Sequence, residues 1–101
     1  MQVTIQEQDG NLVATLEGRL DTAVAPETEK AMSPLMNISE GQDIIIDCTA
    51  LTYISSSGLR IFIGILQHAE RLGSHVYLKG ITEDVRVVFA MTGLINLFKF
   101  I

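Results

Sequence analysis

Cysteine occurs once in the 101 residues, at Cys48, and histidine twice, at His68 and His75. A lone thiol excludes an internal disulfide and agrees with a reducing, cytoplasmic setting. One cysteine and two separated histidines also give no zinc-ligand spacing, so neither a metal nor a cofactor is expected. No run of Lys or Arg exists, which argues against nucleic acid as a direct partner. No segment approaches the ~18 consecutive apolar residues of a membrane span, so no direct membrane contact is expected. Met1-Gln2-Val3-Thr4 begins on a strand-like alternation with neither a basic start nor a long apolar run, and so reads as lacking a signal peptide. A glycine-rich phosphate loop is missing too, since three serines and one glycine are a poor substitute.

What is present is a hydrophobic fraction of 48%, which argues against disorder. A chain of 101 residues predicts a single domain over 1–101 with one core. The net charge of −5 is uneven: residues 1–50 hold nine acids and two bases, residues 51–101 three acids and five bases. An acidic half of this kind gives solubility and can steer a basic protein partner.

Residues 3–8 and 11–18 flank Asp9-Gly10, a hairpin signal because these residues tolerate the positive φ of a tight turn. Asp21 or Thr22 is expected to cap a helix over about 25–37, with Pro26 in its first turn and Pro34 kinking or ending it. Ile44-Ile45-Ile46 marks a buried strand over 42–48, ended by Asp47. Residues 57–72 form the clearest helix, and 75–79 a further strand. Thr82 caps a helix that Gly93 closes, and 97–101 reads as a last short strand. The order β-β-α-β-α-β-α-β predicts an α/β fold: a mixed sheet with helices packed on it, mainly parallel after the first hairpin.

Wound at ~100° per residue, helix 57–72 gathers Arg60, Gly64, Gln67 and Arg71 on one narrow stripe. Its apolar arc covers roughly 220°, wider than the ~100° that docks an ordinary surface helix. Either helix 82–92 or helix 25–37 packs beside it, or an apolar rim near Leu59 and Ile63 is left open for a partner.

Immediately before this helix stand Ser55-Ser56-Ser57-Gly58. Hydroxyls at a helix amino end cap free N–H groups, or they carry a phosphate that those groups and the helix dipole tolerate. A serine hydrolase is a poor reading. The G-x-S-x-G spacing is absent, and both histidines fall toward the far end of the helix, away from any serine nucleophile. Asp9, Asp21 and Asp47 sit at strand ends, where turn and cap duty is the default.

The segments Gly18-Arg19-Leu20-Asp21, Asp47-Cys48-Thr49-Ala50-Leu51-Thr52-Tyr53-Ile54-Ser55-Ser56-Ser57-Gly58-Leu59 and Val85 to Leu94 resemble, in order, those of STAS domains of the anti-sigma factor antagonist type. The resemblance implies a STAS-like fold and a binding module rather than an enzyme. Such proteins sequester an anti-sigma factor, usually a serine kinase, and so free a sigma factor for transcription. The kinase reverses this by phosphorylating a serine at the start of the central helix, and a phosphatase restores the active form. By motif position Ser56 matches the phosphorylated serine, with Ser57 as second candidate. Asp21, Ser55, Ser56, Ser57, Gly58, Leu59 and Ile63 are the expected partner-binding residues. One departure stands out: Ser55 occupies a position where the family commonly has Asp. Other STAS proteins serve as unphosphorylated scaffold subunits of lipid or anion transport systems, which is the alternative function.

Overall fold

A computed structural model describes residues 1–101. Five strands form one sheet in the order of the chain: β1 (Gln2–Gln8), β2 (Asn11–Leu20), β3 (Ile44–Ile54), β4 (Val76–Lys79) and β5 (Lys99–Phe100). β1 and β2 pair antiparallel across Asp9-Gly10, whose φ angles of 53° and 83° are both left-handed, as a two-residue hairpin turn of the type I′ family requires. Every other pairing is parallel. Three helices make the crossovers: α1 (Ala25–Ala31), α2 (Ser56–Arg71) and α3 (Glu83–Met91).

Each crossover steps one strand further in the same direction, and connections of uniform right hand then deliver all the helices to one face. The buried side chains of Ala14, Leu16, Ile44, Ile46, Val76 and Leu78 mark that face. The register places Val13, Ile45 and Tyr77 in one half-buried row on the other face, with Lys99 at its end. Under the helices a core of 22 buried residues is centred on aromatic contacts, with Phe62 6.1 Å from Phe89 and Phe89 5.6 Å from Phe98.

Both neighbours expected for α2 are present. Phe89 of α3 approaches from one side, while α1 and the turn after it flank the other. The wide apolar arc is therefore mostly covered. Leu59 is 4% exposed, which corrects the expectation of an open rim there; Ile63 remains half-buried.

Three elements differ from the sequence reading. The helix expected over 25–37 is two pieces, α1 and a 3-10 turn Ser33–Asn37, because Pro34 has no N–H to continue an α ladder. β3 does not end at Asp47 but runs to Ile54. Opposite Thr15 and Glu17 its partners jump from Asp47 to Ala50, and opposite Gly18 and Arg19 from Leu51 to Tyr53. These two bulges change the spacing of buried residues from two (Ile44, Ile46, Cys48) to three (Leu51, Ile54). At the carboxyl end, a 3-10 turn Leu94–Asn96 precedes β5, which is shortened to two residues.

Candidate functional site

The site lies at the carboxyl ends of β2 and β3, the end of parallel strands where helix amino termini point outward. Leu20 and Ile54 are the last paired residues, and the Ser55 N–H donates to Leu20 O at 2.9 Å. Ser55 is still extended (φ −91°, ψ 171°), and α2 starts at the next residue. Its hydroxyl accepts from the Gly58 N–H at 3.2 Å, so Ser55 is the N-cap and is nearly sealed, at 8% exposure. Ser56 and Ser57 occupy the first two helical positions, whose N–H groups have no intrahelical acceptor. Ser56 is exposed and Ser57 half-buried.

Gly58 sits beneath this turn. A Cβ there would lie 2.7 Å from Leu20 Cγ and 2.8 Å from Ile54 Cγ1. The glycine is what lets the helix start rest directly on the two strand ends.

Of the expected partner-binding residues, the structure therefore brings Ser56 and Ser57 to the surface beside a half-buried Asp21. It places Ser55, Gly58 and Leu59 underneath as cap, spacer and core. Asp21 does not cap α1, whose N-cap is Val24. Its Oδ1 instead accepts from the Val24 N–H at 3.1 Å, closing the turn that leads into the helix.

Two surface features beside the serines carried little signal in the sequence. The Arg19 guanidinium stacks 4.4 Å above the Tyr53 ring, a pairing that only the β2–β3 register reveals. Arg60, read from periodicity as one residue of a polar stripe, shares a hollow with Ser57, Thr22, Pro26 and Glu29. His68 and His75 lie toward the opposite end of α2, and the His75 Nδ1 accepts from the Lys99 ammonium at 3.3 Å. No serine is hydrogen-bonded to either ring, and the buried Ser74 hydroxyl next to His75 has no hydrogen-bond partner.

At the first bulge of β3, Asp47 Oδ1 accepts from the Thr49 hydroxyl at 2.7 Å and from the Thr49 N–H at 3.0 Å. The Thr49 hydroxyl is the main cause holding the carboxyl below its ordinary value, with lesser help from the Thr49 N–H and from Lys79. Next to it, burial pushes the Cys48 thiol up to about 12, with Asp47 adding to the effect. This thiol is a core group, not a nucleophile.

The profile of the STAS domain family matches residues 2–101. BtrV of Bordetella bronchiseptica is 29% identical over 98 residues, covering 97% of this chain and 84% of that protein. The anti-sigma-B factor antagonist of Staphylococcus aureus is 27% identical over 97 residues, covering 96% of this chain and 89% of its own. In fold, the chain is similar to the Bacillus cell fate determinant SpoIIAA in its phosphorylated form. That comparison has a TM-score of 0.72 at 19% identity and covers 99% of this chain and 91% of the other. The likeness extends from the first strand to the last and through the serine-bearing turn, and the chain belongs to the STAS domain family.

Proposed function

We propose that this protein is an anti-sigma factor antagonist: it binds an anti-sigma factor that is itself a serine kinase, and phosphorylation of Ser56 ends the binding. The observation that carries the reading is the exposure of Ser56 at the first helical position, on a turn fixed by its neighbours Ser55 and Gly58. The relatives named as anti-sigma factor antagonists, and a fold neighbour solved with phosphate attached, support it. Ser57, half-buried beside Arg60, is the second candidate.

Phosphorylation adds about −1.5 to −2 charge and three acceptor oxygens. The free N–H groups and the dipole of α2 tolerate that charge, so the fold keeps its shape. A partner seated over the same turn has to desolvate the dianion. If this costs ~3 kcal/mol, affinity falls more than 100-fold, since each ~1.4 kcal/mol is tenfold. A phosphatase then resets the switch, and the cycle belongs in the cytoplasm with the sigma factor it governs.

The test is calorimetric titration of the purified anti-sigma kinase from the same genome. Ser56→Ala binds as the native chain does, and Ser56→Asp loses at least tenfold. Equal affinities for the two variants overturn the switch. The scaffold alternative predicts a different result, namely no modification in the cell and co-purification with a membrane transport complex.

A further inference from the structure

Between α1 with its following turn and α2 runs a groove that starts at the serines. Its upper hollow, about 300 Å³, contains Ser57 and Arg60. Its lower hollow, about 180 Å³, is lined chiefly by Met32, Met36, Gly64 and Ile65. Glu29 and Ile61 line both, so the two adjoin.

Gly64 is the unexpected residue. It lies in the middle of a sixteen-residue helix, where glycine is less stable than alanine. Unlike Gly58, it has no packing reason to lack a side chain, since a Cβ built there meets no atom of a neighbouring element within 4 Å. Nor does it have a left-handed φ. Nothing inside the molecule requires a glycine here. What the missing side chain does provide is an open floor to the lower hollow.

We infer that this groove is the second contact of the partner that covers Ser56, and that its lower hollow takes one apolar side chain of that partner, presented beside a Lys or Arg that meets Glu29. The identity of the partner rests on the function proposed above. Three observations select this occupant. The volume is below the ~300–1,000 Å³ of small-molecule sites and suits a single side chain. The lower hollow adjoins the upper one, which Ser57 lines, so whatever seats there lies next to the turn that carries Ser56. Glu29 is the one charged residue lining the lower hollow, since Arg60 lines only the upper one, and this carboxylate complements a cation. Met32 and Met36 supply flexible, polarisable walls that adapt to such an anchor, and Met36 is already 40% exposed.

The experiment titrates the same purified kinase with Gly64→Leu, which fills the hollow, and with Met36→Asp and Glu29→Lys at its rim. Gly64→Leu and Met36→Asp each weaken binding at least tenfold without lowering the melting temperature, which Gly64→Leu is expected to raise, and Glu29→Lys weakens it more at low than at high salt. Native affinity in both Gly64→Leu and Met36→Asp overturns the inference. If Gly64→Leu lowers the melting temperature, Met36→Asp decides alone, because its side chain is exposed. The two readings separate cleanly. Loss with Ser56→Asp but not with the groove variants removes the groove and keeps the switch; the reverse pattern removes the switch and keeps the groove. A kinase that fails to bind the native chain overturns both.

Discussion

Ser55 and Ser56 are adjacent and chemically identical, yet one hydroxyl is spent on the Gly58 N–H and the other faces solvent. Removing the first should therefore cost stability, and removing the second should not. Ser55→Ala is expected to lose about 1 kcal/mol, as a missing N-cap does, whereas Ser56→Ala stays within about 0.5 kcal/mol as an ordinary surface change. Urea unfolding of the two variants measures this, and equal losses would contradict the assignment of the cap. The same geometry explains the departure at Ser55. Asp is as good an N-cap as Ser, so exchanging them preserves the turn and removes only a charge. The triplet was legible in the sequence as a cap or a phosphate carrier. Which serine does which depends on where the strand yields to the helix, and that boundary was hidden.

It was hidden by β3. The apolar run Ile44-Ile45-Ile46 made residues 42–48 readable as a strand, but two bulges shift the next buried positions to Leu51 and Ile54, a spacing that resembles neither a strand nor a loop. The fold class and the order of elements along the chain were legible because long apolar patterns and Gly or Pro punctuation survive such local irregularity. The split of the first helix was half legible, as an interruption at Pro34. The groove beside α2 was not legible at all, since it depends on side chains from two elements and on an empty position, Gly64. The bulge carries its own prediction. Asp47 is held below its ordinary 3.8 chiefly by the Thr49 hydroxyl. A carboxyl with a depressed folded value adds stability above that ordinary value and loses it as pH falls through the folded one. Thr49→Val should raise the Asp47 value toward normal and flatten the acid limb of the stability curve. An Asp47 titration unchanged in NMR would refute this.

For the molecule as a whole, Cys48 is a built-in reporter. It is 0% exposed, and burial raises its thiol from 9.0 to about 12. Because the folded form holds its proton longer than the unfolded chain, this group's contribution to stability is intact below about 9.0 and declines as pH rises toward about 12. At neutral pH the thiol should label with iodoacetamide only through opening of the core, at a rate that rises with urea in step with global unfolding. Fast labelling without denaturant would show that the sheet opens locally around this strand.

The close seat of Gly58 on Leu20 and Ile54 has a consequence for how any signal leaves this protein. A helix start pressed against two strand ends with no side chain between them can neither tilt nor sink when its surface is modified. On the proposed function, information written at Ser56 therefore stays where it is written. An approaching molecule would read it as a change in texture and charge, with no lever transmitting it to the far side of the fold.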